Sequence, residues 1–317
     1  MSHSRRKIAL IGAGFVGTSF IAAAIQNQIA AEYGIIDLNV TKLEGNVLDF
    51  EDSLANHEMG SAVKVYDFKD LKDVSVIVIT AGRPQKPGET RLEMVNDNAR
   101  IMADIARKVK ASGFNGVTVI NANPVDVMTY VYAHVTGFEK NRVISSGTAL
   151  ETSRFKFEIA KQLGLNASAV SALVFGEHGD SSLYTTDYVS IEGIPYKEYT
   201  KDMKISEQEL LDMMQRVRRK AYEIINHKGS TFYGIGATTA HLVRMIVEDA
   251  RRVTSVGAYL NGEYGQKDLF IGVPAVLGIN GVEKVVELDL KPEVKKQFDE
   301  SARILKENIA KALEAIK

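Results

Sequence analysis

Six residues, Gly12-Ala-Gly14-Phe-Val-Gly17, constrain this chain more than any others. A short β-rich run, Lys7-Ile-Ala-Leu-Ile11, comes before them, a helical stretch to about Glu32 comes after, and Tyr33-Gly-Ile-Ile-Asp37 then reads as a second strand. GxGxxG alone is a weak signal, but the order strand, turn, helix, strand gives each glycine a mechanical task. Gly12 makes the tight turn, Gly14 lets the backbone approach a pyrophosphate, and Gly17 lets helix pack closely on strand. The first helical turn offers free N–H groups and a positive dipole end to phosphates. Asp37 lies 20 residues past Gly17, where a carboxylate accepts from ribose hydroxyls and repels a 2′-phosphate. The expected ligand is therefore a dinucleotide, NAD in preference to NADP.

The α/β pattern continues. A helix is expected over 41–57 and strands over 62–66, 74–80 and 116–120, with a helix over 91–112 between the last two. The segment 81–90 is rich in proline, glycine and charge, and reads as a lid. Polar residues of Asn121-Ala-Asn123-Pro124-Val-Asp126 follow a strand, at the edge where open α/β sheets bind ligands. Past Gly147 the texture changes. A helix over 148–164 precedes the apolar run Val170–Phe175, read as one buried strand ending in Gly176-Glu177-His178-Gly179-Asp180. A hairpin is expected over 188–195, long helices over about 206–228 and 236–251, and extended segments around 270–277 and 282–290 with a turn at Asn280-Gly281. An amphipathic helix over 291–317 closes the chain. The expected fold class is α/β: a Rossmann doubly wound parallel sheet over 1–147, with a second, mixed α+β substrate and catalytic domain over 148–317.

Composition removes several alternatives. With 317 residues there is ample apolar material for two lobes. The absence of cysteine excludes disulfides, thiolate metal sites and cysteine nucleophiles, and fits a reducing cytoplasm. A net charge of −1 with mixed signs gives no reason to expect nucleic acid or an anionic membrane as partner. Arg5-Arg6 superficially resembles a twin-arginine signal, but the apolar segment behind it is too short and runs into the glycine turn, which argues against export. No apolar run approaches the roughly 20 residues of a membrane-spanning helix. No metal site is expected.

His178, between two glycines at a strand end, is a candidate proton donor and acceptor; in a turn it is otherwise a structural residue. Glu151 and Arg154 share a helix face and by themselves read as a surface salt bridge. What joins these residues is a resemblance that covers nearly the whole chain. GAGFVG, Ile36-Asp37, QKPGETR (85–91), NPVD (123–126), SGT (146–148) before an arginine-bearing helix, GEHGD, KGSTFYGIG (228–236) and GVPAVLG (272–278) occur in the order of the lactate/malate dehydrogenase family. Within that family the chain resembles the bacterial L-lactate dehydrogenases. The resemblance implies that His178 is the acid/base facing the substrate carbonyl, that Arg154 grips the substrate carboxylate and that Arg91 polarises the carbonyl beneath a closed lid. Asn123 would bond the reacting oxygen or the cofactor, Thr231 and Ile235 would line the pocket, and Gly12, Gly14, Val16, Gly17 and Asp37 would hold NAD. Glu151 stands where the family has an aspartate that orients the histidine, so its extra methylene must be accommodated. The segment Leu183–Asp187 and Ala122 also depart from the family pattern.

The resemblance reads the substrate from Gln85. Malate dehydrogenases carry arginine there, whereas a neutral glutamine makes a buried second carboxylate costly. Lactate and pyruvate are favoured, with longer 2-oxo acids as an alternative; Arg83 keeps a dicarboxylate such as malate in play. A diverged NAD-binding paralogue with little catalysis and an NAD- and metal-dependent glycosidase are the rival classes. Many bacterial relatives are tetramers that respond to fructose 1,6-bisphosphate through an arginine and a histidine. Lys156 and Ser171 stand at those positions, so a homotetramer (or a dimer) with little response to that sugar phosphate is expected.

Overall fold

The structure, a computed structural model, describes residues 6–57, 60–83 and 91–317, with the backbone alone for 91–93. The first half alternates as expected: β1 (Lys7–Ile11), α1 (Phe15–Gln26), β2 (Glu32–Ile36), α2 (Val40–Leu54), β3 (Ala62–Val65), β4 (Val76–Ile79), α3 (Arg91–Ala111), β5 (Val117–Ile120), α4 (Val125–Thr136) and β6 (Val143–Ser145). All six strands are parallel, in the order β3-β2-β1-β4-β5-β6. Strands covered on both faces become continuous apolar runs, and β4 (VIVI) and β5 (VTVI) are buried at every position. The order reverses between β1 and β4, and the crevice outside the strand ends at such a switch point is where a dinucleotide binds.

The second half contains α5 (Ala149–Leu163), β7 (Val170–Ser171), β8 (Val174–Phe175), β9 (Leu183–Tyr184), β10 (Ser190–Ile191), β11 (Ile194–Pro195), α6 (Tyr196–Tyr199), α7 (Glu207–Lys228), α8 (Tyr233–Val247), β12 (Arg252–Asn261), β13 (Lys267–Gly278), β14 (Gly281–Val285) and α9 (Pro292–Glu314). α7 starts at a capping box, in which the Ser206 hydroxyl accepts from Glu209 N–H while the Glu209 carboxylate accepts from Ser206 N–H. Three expectations need correction. Val170–Phe175 is two strands: β7 pairs with β10 and β8 with β9, because the chain is drawn over α5, where Val174 N–H donates to Thr152 and Thr148 donates to Val174 O. Val170, Ala172, Val174 and Phe175 are all buried across the break, so apolar content could not reveal it. The eighth helix stops at Val247, four residues early, where Asp249 and Arg251 take positive φ, and the chain enters the unanticipated strand β12. The last hairpin turns on Ile279-Asn280, one residue before the expected position, since Gly278 pairs with Gly281, and β14 ends at Val285.

β12, β13 and β14 do not form a sheet of their own. They continue the first one antiparallel, through a pairing of Gly257 with Ser145, to make nine strands in the order β14-β13-β12-β6-β5-β4-β1-β2-β3. α8 also lies on α1, with Gly236 so close that a Cβ there would sit 2.7 Å from Ser19. Phe20, Ile21, Leu242, Val243 and Ile246 are buried in one core with the sheet. Each contributes roughly 1.5–3 kcal/mol, against about 0–1 kcal/mol for a surface ion pair, so apolar burial joins the two halves. A smaller core of Phe155, Met213, Val217 and Tyr196 joins α5, α6 and α7. Among the described residues no helix is long and apolar enough to cross a membrane.

Candidate active site

The glycine turn comes off β1 at the switch point. Gly12 has φ +102°, and a Cβ on it would meet Ala81 N at 2.6 Å; a Cβ on Gly17 would lie 2.1 Å from Gly12 O. Around Gly14 there is open space within 4 Å of where a Cβ would be, and no side chain caps the start of α1. A phosphate-sized anion fits that face, against free N–H groups at a positive helix end. Asp37 ties the turn to β2: its Oδ2 accepts from Ala13 N–H at 2.6 Å and its Oδ1 from Asn39 N–H at 2.9 Å. The turn is therefore held by a carboxylate at the end of the second strand.

Beyond the turn a cavity of about 230 Å³ brings Val16, Asn123, Glu151, Arg154, His178, Thr231 and Ile235 together. Gln85 lies outside the described residues, as does the Arg91 side chain, although Arg91 opens α3. Lys156 lines an adjoining cavity of about 520 Å³ between α5, α7 and α8, which shares Leu150, Arg154 and Thr231 with the first, and Ser171, exposed on β7, is not among the residues around it. Burial and the charge of Arg252 hold the Lys156 ammonium below its ordinary range.

Glu151 and Arg154 lie one turn apart on α5, with side chains 7% and 10% exposed, so their pairing is not the surface salt bridge that spacing alone suggested. Arg154 Nη1 stands 3.6 Å from Glu151 Oε1, and His178 Nδ1 is 3.1 Å from each Glu151 oxygen. The longer side chain thus reaches the imidazole with both oxygens. The Glu151 charge raises the His178 pKa to about 9, against the opposing effect of burial. Burial raises the Glu151 pKa in turn, but the charge and hydrogen bond of His178 and the charge of Arg154 prevail and hold it low. The pair is accordingly an imidazolium donating from Nδ1 to a carboxylate, which leaves Nε2 as the nitrogen for a substrate.

Four residues that sequence reasoning did not single out also belong here. Asp126, 1% exposed, accepts from the main-chain N–H of His178. Asn98 donates to the carbonyls of Asn123 and Arg83 and accepts from Arg83 N–H, linking α3 to the root of the 84–90 segment. Asn121 donates to Thr239, and its buried Oδ1 has no hydrogen-bond partner among the described residues at the cavity wall, which suits a ligand carrying an amide N–H. The Arg218 guanidinium lies 5.5 Å over the Tyr184 ring and donates to Ser182 O. Asn121 and Asp126 carried a signal in the sequence, as the ends of the polar run after β5, though neither was given a role; Asn98 and Arg218 carried none. Arg83 is engaged elsewhere: Nε and Nη2 donate to Asp97 Oδ2 at 2.9 and 2.6 Å.

A cleft built this way, with an anion cradle at one end and a protonated imidazole beside a guanidinium at the other, suits hydride exchange between a nicotinamide dinucleotide and a small anionic substrate. Comparison with known proteins agrees. Residues 6–145 match the lactate/malate dehydrogenase NAD-binding domain, and residues 148–316 match the lactate/malate dehydrogenase alpha/beta C-terminal domain. The chain is 52% identical over 317 residues to an L-lactate dehydrogenase of Mycoplasma mobile, with both chains covered 100%. It is 48% identical to one of Mycoplasma pneumoniae, covering 96% of this chain and 97% of the other. The crystal structure of the minor L-lactate dehydrogenase of Enterococcus mundtii, in its ligands-bound form, superposes with a TM-score of 0.94 at 40% identity, covering 97% of this chain and 98% of that one. The chain belongs to the lactate/malate dehydrogenase family, and is an NAD-dependent oxidoreductase.

Proposed function

We propose that the chain is an L-lactate dehydrogenase, interconverting pyruvate plus NADH with L-lactate plus NAD. The observation that carries this reading is the His178 Nδ1 contact with both Glu151 oxygens, with Arg154 beside them in one cavity. The dinucleotide, bound in its reduced form NADH, would supply the hydride for C2 of pyruvate and would accept it back from lactate as NAD. His178 gives the carbonyl oxygen its proton from Nε2 and, as neutral imidazole, takes it back from the lactate hydroxyl. Glu151 fixes the ring and stabilises its charged form. Arg154 holds the carboxylate, a task for a planar two-pronged donor. Arg91 polarises the carbonyl, Asn123 bonds the reacting oxygen or the nicotinamide side, and Thr231 and Ile235 shape the pocket. Gly12, Gly14, Val16, Gly17 and Asp37 hold the dinucleotide.

Lactate is preferred to malate on two grounds. Gln85 offers no charge to a second carboxylate, and Arg83, the nearest substitute in sequence, is taken by Asp97. The curated relatives at about half identity are L-lactate dehydrogenases. We further assign 1–147 to dinucleotide binding and 148–317 to substrate and catalysis, a homotetramer as the working assembly, and the cytoplasm as its place. NADH oxidation followed with pyruvate, longer 2-oxo acids and oxaloacetate side by side tests the substrate, with pyruvate expected to give the highest kcat/KM. Gln85→Arg is expected to move the ratio toward oxaloacetate; oxaloacetate as the better substrate of the unaltered chain would overturn the assignment.

A further inference from the structure

Behind His178 there is a second carboxylate that never touches the ring. Asp126 sits in the first turn of α4, after the Asn123-Pro124 peptide, and is 1% exposed. Its Oδ2 accepts from His178 N–H at 3.0 Å and its Oδ1 from the Ser145 hydroxyl at 2.8 Å. Ser145 is wholly buried at the end of β6, opposite Gly257 of β12. A Cβ on Gly257 would lie 1.7 Å from Ser145 Oγ and 2.9 Å from Asp126 Oδ1, so the neighbouring strand has no side chain where this pair needs the room. An unpaired carboxylate is costly to bury, and two hydrogen bonds from neutral groups offset that only in part.

We propose that Asp126 is a positioning residue for His178: it clamps the histidine main chain to the turn that carries Asn123, so that one hydrogen-bonded unit sets both against the substrate. His178 comes from the second half of the chain and Asn123 from the first, and Asp126 bridges them three residues past Asn123. The clamp also bears on the charge of the ring. Asp126 adds to the effect of Glu151 in favouring the imidazolium, while burial pushes its own carboxyl up to about 6. Among the described residues, the other ionisable groups around His178 are Glu151 and Arg154 on α5, Glu177 and Asp180 on its own loop, and Tyr184, Arg218 and Tyr222 across the cavity. Among them Glu151 holds the ring and Asp126 the backbone, so the two carboxylates make separable contributions.

Two variants separate clamp from charge. Asp126→Ala removes the acceptor, and kcat for pyruvate reduction is expected to fall on the order of 10²-fold with NADH affinity unchanged, as for a group displaced by about 1 Å. Asp126→Asn keeps an acceptor for His178 N–H but loses the charge; its kcat falls less, and the alkaline limb of the pyruvate kcat/KM profile moves acid by roughly one pH unit. Wild-type kcat in Asp126→Ala overturns the clamp, and so does a kcat in Asp126→Asn as low as in Asp126→Ala, since the retained acceptor would then restore nothing. If Asp126→Ala fails to fold, Asp126→Ser, whose hydroxyl is too short to reach His178 N–H, takes its place. The inference rests on the dehydrogenase reading, so the His178 titration is also followed by NMR with labelled histidine, identified by the signal missing from His178→Gln. An enzyme inactive with every 2-oxo acid defeats that reading, and a wild-type kcat without the Asp126 acceptor defeats this one; an unmoved His178 midpoint in Asp126→Asn would assign the effect of Asp126 to the clamp and none of it to charge.

Discussion

A histidine with its pKa raised to about 9 holds its proton at neutral pH, which is the form that pyruvate reduction consumes. kcat/KM for pyruvate is therefore expected to stay level through neutrality and fall as pH rises through about 9, while lactate oxidation, which needs the neutral ring, rises over the same window. Glu151→Gln removes the largest cause of the shift, so the midpoint is expected to move down by roughly 1–3 pH units. Parallel pH profiles in both directions check this, and unchanged midpoints would make Glu151 a bystander. How much of this was legible follows from distance along the chain. Glu151 and Arg154 were paired by helical spacing, and their tie to His178 came from the resemblance. The His178 contact with Asp126 spans 52 residues and uses a backbone N–H, which no side-chain motif announces. The burial of the Glu151–Arg154 pair was equally invisible, because an acid three residues before an arginine is usually solvated.

Elements were legible where a local period sets them. The β1, turn, α1, β2 order and the fully apolar β4 and β5 could be read because strand burial and glycine chemistry act over a few residues. β12 was missed because its start is fixed by a reversal at Asp249 and Arg251, two non-glycine residues at positive φ that no local sequence period announces. The division of Val170–Phe175 was likewise hidden, since apolar residues run through both strands and the partners, β10 and β9, lie further along the chain. Helix contacts give a sharper test. Gly236→Ala would force α8 off α1 at Ser19, and is expected to destabilise by roughly 1–3 kcal/mol. A denaturant titration reads this as a lower midpoint with an unchanged slope; an unaltered midpoint would mean that the helices separate at little cost.

At the scale of the assembly, Lys156 keeps one positive charge and Ser171 none, and the two do not share a cavity. A fork-like grip on a bis-phosphate is therefore weakened. Light scattering is expected to find a tetramer, and the half-saturating pyruvate concentration is expected to be the same with and without fructose 1,6-bisphosphate. The continuous nine-stranded sheet has a further consequence for anyone who would cut the chain at its apparent joint. A piece ending at residue 147 would leave β6 as a bare edge, offering unpaired amides and carbonyls to any neighbour, and would strip the cover from α1. Expressed by itself it is expected to aggregate. Co-expressed with 148–317 it is expected to be rescued, because the strand that blocks the edge comes with the other piece: folding and NAD binding would then be one event shared by two polypeptides, and a soluble, monomeric 1–147 fragment would show that the joint is real.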